Sequence, residues 1–271
     1  RSLMPEGFEA LGVDGLRDLL TFLCAGNARF RIIDLSGAFT ASTHDGLYNS
    51  NKPDGGTLPV TRFGVVNALG VPFSVVDPAR HPLHQNVMVL KGGPDKTHSK
   101  QDFPQKVEAR VGFAAKQLHI LGNVAGWGFP AVRESVPVLK IIVHYAGGAT
   151  EELVFKNAVE IADYIREVEV PGSQLAPGIA AGGRQARFLS RALKGQGVIE
   201  KLAFESFDNR VAPTTRAVTA DLSLDPLPPA PKPLDGGASA APKKAGAQAG
   251  GKKAGKKKAA QVASTAPVAA A

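Results

Sequence analysis

Between Val136 and Ile165 the apolar residues fall on every second position, in two successive runs. Leu139, Ile141, Val143 and Tyr145 share one face of a strand, and Lys140, Ile142 and His144 share the other, because successive strand side chains alternate. Ala146-Gly147-Gly148-Ala149 supplies the backbone freedom for a reversal. Leu153 and Phe155, set against Glu152 and Lys156, repeat the alternation on the way back. A hairpin with one apolar and one mixed face needs a second sheet to cover it, which predicts a β-sandwich.

The same period of two runs through FRIIDL from Phe30, then RFGVVNA, VPFSVV, NVMVLKG, KVEARVGF and QLHILG. It returns in Gly197–Phe207 and Ala217–Leu224. Turn residues punctuate these runs at Asn51–Gly56, Asp77-Pro78, Gly92–Asp95 and Gly122-Asn123. The expected fold is all-β, an antiparallel sandwich or jelly roll. Val170–Gly183, rich in Gly, Pro and Ala, reads as a long surface loop.

The two ends break the pattern. In residues 1–27 Val13, Leu16, Leu19, Leu20 and Leu23 fall at helical spacing, with Asp14 in the first turn and Gly26-Asn27 as a C-cap. One short amphipathic helix is marginal alone in water, so its stripe needs a docking surface. After Pro226 the composition collapses to Pro, Ala, Gly and Lys, which cannot bury enough apolar surface to offset ordering entropy. Three parts are therefore expected: a helical stretch over 1–27, a sandwich over 28–225 and a disordered tail over 226–271.

Charge sharpens this division. Of the net +8, the tail carries eight lysines against Asp235, so the first 225 residues net only +1. Specific nucleic-acid binding by the body is poorly supported, while the tail suits weak, non-specific attraction to acidic polymers. No apolar run approaches the ~18 residues of a membrane span. Cys24 is the only cysteine, which excludes an internal disulfide. The chain opens on Arg1 with no charged-then-apolar leader and reads as a fragment of something longer.

The stretch SLMPEGFEALGVDGLRDLLTFLCAG resembles the C-terminal end of c-type haem domains in multidomain proteins of the planctomycete–verrucomicrobial kind. Met4-Pro5 and Leu16–Leu23 match that family's Met-Pro pair and final helix. The resemblance implies that Met4 is the distal axial ligand of haem iron, provided an upstream haem domain is present. A Cys-x-x-Cys-His attachment motif is absent, so no cofactor is expected in this chain alone, with haem c in the full-length protein. A secreted or periplasmic location follows from the same resemblance.

The body resembles the galactose-binding-like sandwiches attached to secreted enzymes, especially the novel carbohydrate-binding module group. The matching stretches are GVPFSVVDP, FPQKVEARVGFAAKQLHILG and VHYAGGATEELVFKNAVEIADYI. The family's hairpin turn carries an acid where Gly147 stands, and Asp163-Tyr164 occupies the exit position. What is implied is a polysaccharide-binding module, with a scaffold role in an electron-transferring cytochrome or dehydrogenase as the alternative.

Trp127, the only tryptophan, lies in the glycine-flanked stretch Gly122–Gly128, where an aromatic face could stack on a sugar ring and Asn123 could hydrogen-bond its hydroxyls. Trp127, Asn123, Asp163 and Tyr164 are the candidate ligand-binding residues. His81, His84 and His98 read as solvated loop histidines, and Asp45, Asp54 and Asp77 as oxygen donors for a structural calcium if the fold converges them. No nucleophile elbow, zinc-protease helix or phosphate loop is present; Gly92-Gly93-Pro94-Asp95-Lys96-Thr97 lacks the required spacing, and Pro94 removes a donor. Glu151 and Glu152 fall on opposite strand faces, a poor arrangement for paired acid–base work. A non-enzyme is expected.

Overall fold

A computed structural model describes residues 29–45, 57–92, 102–126 and 128–229, together with residues 12, 13, 15 and 16. Met4, Asp54, His98 and Trp127 lie outside the described residues, as does the unit Pro233–Ala271. The four described N-terminal positions are helical, as the spacing predicts, with Val13 82% exposed and Leu16 half-buried.

Among the described residues twelve strands follow in chain order: β1 (Phe30–Ile33), β2 (Gly64–Ala68), β3 (Val71–Val75), β4 (Met88–Val89), β5 (Lys106–Ala114) and β6 (Gln117–Ala125), then β7 (Pro137–Tyr145), β8 (Thr150–Lys156), β9 (Gln174–Leu175), β10 (Arg187–Ala192), β11 (Val198–Ser206) and β12 (Ala212–Asp221). One sheet has the order β1-β12-β6-β10-β9, with β4 also pairing β12; the other is β5-β11-β7-β8. All strand pairs are antiparallel. The chain is an all-β antiparallel sandwich.

Alternation builds the core. Ile141, Val143, Phe155, Leu202 and Phe204 of the four-stranded sheet pack with Leu118, Ile120, Val124, Leu189 and Val218 of the six-stranded one. Complete burial of Phe155 and Phe204 stabilises by about 2–3 kcal/mol each. The β7–β8 hairpin turns where expected, with Gly147 and Gly148 both at φ +90°, a conformation that costs a glycine nothing. The outer face of this sheet carries an ion-pair ladder: Lys106–Glu205 and Glu205–Lys140 at 3.0 Å, then Lys140–Glu152 at 3.4 Å. Hydrogen bonds from Lys106 and then Lys140 hold the Glu205 carboxyl below its usual range. Exposed pairs of this kind add little stability each and chiefly keep the face soluble.

The six-stranded sheet is covered on its outer face too. The β2–β3 hairpin lays Val66, Val71 and Phe73 on Leu121, Phe188 and Ala217. Farther along, Leu58, Val87 and Phe103 close over Ala125 and Tyr164. Covered on both sides, β12 buries all ten of its residues, and its Ala- and Thr-rich sequence suits that narrow space.

Four sequence expectations need correction. Gly122-Asn123 is not a turn but the interior of β6: a Cβ at Gly122 would meet the Thr214 carbonyl oxygen at 3.0 Å, so the glycine serves close strand approach. The segment Val170–Gly183 contains β9, which pairs β10. Arg187–Ala192 shows no strand alternation in sequence, because its arginines mask it, yet β10 runs there. The last strand starts at Ala212 rather than Ala217; Pro213 hides its first half, and a bulge between Thr215 and Ala217 accommodates Arg216.

Candidate functional site

At one end of the sandwich the β6–β7 connection meets the β11–β12 connection, and two asparagines fix both. Asn157, fully buried just beyond β8, donates its amide to the Val132 and Glu134 carbonyl oxygens at 2.9 and 3.1 Å. Its own oxygen accepts from Phe129 N–H at 2.8 Å. Asn209 donates to Pro137 O at 2.7 Å and accepts from Val211 N–H at 3.0 Å, tying the second connection to the start of β7. These are loops whose main-chain groups are satisfied by one buried and one half-buried side chain, which makes them a rigid frame.

The walls so held enclose an open cleft of about 420 Å³. Arg133, Glu134, Asn209 and Arg210 supply its polar lining, and Val132, Val136 and Val211 its apolar one. Arg133 and Arg210 are exposed, and neither guanidinium has a hydrogen bond or ion pair among the described residues. The arrangement offers planar donors, a carboxylate and a small apolar floor, within the size range of small-molecule sites. Sequence reading missed all four polar residues. Their only signal was a run of polar, planar side chains, Asp208-Asn209-Arg210 and Arg133-Glu134, between strand patterns.

The fold brings Asn123, Asp163 and Tyr164 together, though not at a surface. The segment carrying Asp163 and Tyr164 runs alongside β6, with Asp163 bridged in parallel to Val124 and Tyr164 N–H donating to Val124 O at 3.1 Å. Asn123 is one residue away in β6, and Asp163 accepts from Gly128 N–H at 3.0 Å, directly after Trp127. Yet Asn123 is 0% exposed, and Asp163 and Tyr164 are 6% each. Asn123 therefore sits in a strand rather than the loop expected of it, and its side-chain amide finds no hydrogen-bond partner. Arg184 lies over the Tyr164 ring at 5.6 Å. Burial pushes the Tyr164 hydroxyl up to about 12.

Asp163 shows two opposed effects. Burial raises its carboxyl to about 6, although Ile165 and Gly128 N–H groups donate to it and favour the ionised form. Gly128 itself is indispensable here, because a Cβ would lie 2.4 Å from a Val124 methyl.

One further set invites a catalytic reading. His119 Nδ1 lies 2.7 Å from Ser190 Oγ, and Nε2 lies 3.3 Å from Asp221 Oδ2. Register explains the meeting: Ser190 stands opposite His119 across β10 and β6, and β12 brings Asp221 alongside. However, His119 is 0% exposed, stacked on Phe188 at 5.3 Å and edged by Phe30 at 6.2 Å, so no leaving group can reach it. Arg29 engages both Asp221 oxygens, at 3.1 and 3.0 Å. Burial holds the imidazole below its usual range, so it is neutral, donating to Asp221 and accepting from Ser190. This chain of bonds joins β1, β12, β6 and β10 and reads as structural.

The other candidates are also absorbed by the fold. Asp77 caps a short turn by accepting from Ala79 N–H, and His81 Nδ1 accepts from Leu83 and Gln85 N–H. Asp45 and His84 line a separate hollow of about 380 Å³. No group of three metal-ligating side chains converges among the described residues. Glu151 accepts from Tyr145 O–H and from Lys194 and Gly195 N–H, while Glu152 pairs with Lys140. No helix among the described residues is long and apolar enough to cross a membrane.

No family model matches the sequence, and no curated protein matches it. Among solved structures, the chain is similar to a point mutant of a family 29 carbohydrate-binding module complexed with cellulohexaose. The identity is 11% and the TM-score 0.29, over 73% of this chain and 94% of that one. A TM-score at that level does not establish common topology.

Proposed function

We propose that residues 28–225 form a non-catalytic binding module of carbohydrate-binding type. The observation that carries this reading is the cleft between the two asparagine-braced connections. It presents planar donors that have no partner among the described residues, over an apolar floor at the end of a rigid sandwich, where loops usually carry binding residues. Trp127 belongs to the same β6–β7 connection in sequence, and this reading takes it as the aromatic that contacts the sugar. Asn123, Asp163 and Tyr164 then act behind the site, as buried supports of the Gly128 segment.

The proposal extends to the parent protein. An exported, haem-containing multidomain chain, secreted or periplasmic, is what the resemblance of the N-terminal stretch supports, with Met4 as the distal ligand there. This chain lacks the attachment cysteines and histidine, so its own residues hold no covalent haem c. The Lys-rich tail would add weak attraction to acidic polymers.

A glycan panel screened against the full chain tests the binding reading. Trp127→Ala is expected to weaken the best glycan by roughly 1–3 kcal/mol while the melting temperature moves little. No glycan bound, together with a collapse of stability in that variant, would place Trp127 in the core and remove the binding role.

A further inference from the structure

Resting on the binding reading above, we infer that the cleft takes an acidic glycan, one bearing a carboxylate on the sugar ring, with Arg133 and Arg210 as its carboxylate clamp. Both guanidinia are exposed at the cleft and make no hydrogen bond or ion pair among the described residues. Three other arginines are committed within the fold, whereas the Arg80 and Arg110 side chains are exposed without a hydrogen bond or ion pair among the described residues; Arg133 and Arg210 differ from those in lining one cleft together. Arg29 is committed to Asp221, Arg191 to Glu160 at 2.8 Å, and Arg187 is fully buried with donors to Val168 O and Ser173 O. Two planar forks without a partner among the described residues, lining one cleft, supply the donors that arginine uses in bidentate contact with a carboxylate.

The remaining lining fits the rest of such a ring. Val132, Val136 and Val211 offer apolar surface to the C–H face, and the Asn209 carbonyl oxygen and Glu134 carboxylate can accept from hydroxyls. Glu134 also sets the charge balance. Two arginines against one acid leave a single positive charge, suited to one carboxylate rather than to a densely sulfated chain. The bracing supports selectivity, because Asn157 and Asn209 fix the backbone from which Glu134 and Arg210 project.

Isothermal titration of the full chain with trigalacturonate, its neutral galactose analogue, a trisulfated trisaccharide and free galacturonate tests the inference. Short ligands limit the contribution of the Lys-rich tail, which every variant retains. Trigalacturonate should bind at least about tenfold tighter than the neutral and sulfated probes, and Arg133→Ala or Arg210→Ala should weaken it by about tenfold with unchanged melting temperature. Arg210→Lys should recover only part of the loss, since a point charge lacks the fork. Equal or tighter binding of the neutral or sulfated probe overturns the acidic-glycan inference while leaving the carbohydrate reading intact, as does trigalacturonate binding that ignores both arginine variants. Equal binding of the monomer, which carries the same carboxylate, supports the clamp. Failure of every probe, and of the wider glycan panel, overturns both.

Discussion

The Asn157 amide donates to the Glu134 carbonyl oxygen at 3.1 Å, linking the exit of β8 to the lip of the cleft, 23 residues away in sequence. The same side chain satisfies Phe129 N–H and Val132 O, so one buried residue completes three main-chain groups. Asn157→Ala orphans all three. It should destabilise the chain by about 2–4 kcal/mol in urea denaturation and weaken any ligand of the cleft as well. A change under about 0.5 kcal/mol would show that water replaces the amide and that the bracing is dispensable.

The acid-range stability should carry the signature of Asp163. Its folded carboxyl is raised by burial to about 6, from an ordinary value of about 3.8. Between those values the folded chain holds a proton that the unfolded chain has released. Protonated Asp163 therefore contributes stability that is complete below about pH 4 and lost as pH rises through 6, on the order of 2–3 kcal/mol. His119 has the opposite sign: burial lowers its folded pKa, so its contribution is present above the unfolded value of 6.5 and lost as pH falls below it. Asp163→Asn should remove the loss between pH 4 and 6 and leave the histidine-dependent loss. An unchanged profile in that variant would mean that the carboxyl is ionised in the fold.

Asp221 is the anchor of the buried polar chain. It is 0% exposed, receives Arg29 and His119, and accepts from Ser223 N–H at 2.9 Å. Asp221→Ala strands a partly buried guanidinium and an imidazole N–H together. The expected cost is about 3–5 kcal/mol. His119→Phe, which removes one partner but keeps an aromatic between Phe30 and Phe188, should cost distinctly less. Esterase activity abolished by Ser190→Ala would contradict the structural assignment of this chain of bonds.

The sequence made the layers legible but not the site, for physical reasons that particular residues show. The β7–β8 hairpin was readable because it is covered on one face, which leaves Lys140 and Glu152 to mark the other. β12 was half-hidden because it is covered on both, so its polar-looking Thr214, Thr215 and Arg216 are buried and alternation vanishes. Gly122 carried the composition of a turn while serving strand proximity. Asp163, Tyr164 and Asn123 read as ligand-binding residues in the sequence, and nothing local reveals that the fold buries all three. Arg133 and Arg210 are 77 residues apart, and only the register of β7 on β11 brings their loops to one end.

The most direct measurement is amide chemical-shift mapping of the full chain during titration with the best glycan from the panel. Shifts should concentrate in residues 131–136 and 209–211 with Gly128 among them, and the β5–β11–β7–β8 outer face should stay silent. Shifts confined to that outer face, to the hollow at Asp45 and His84, or to the Lys-rich tail would contradict the cleft as the binding site.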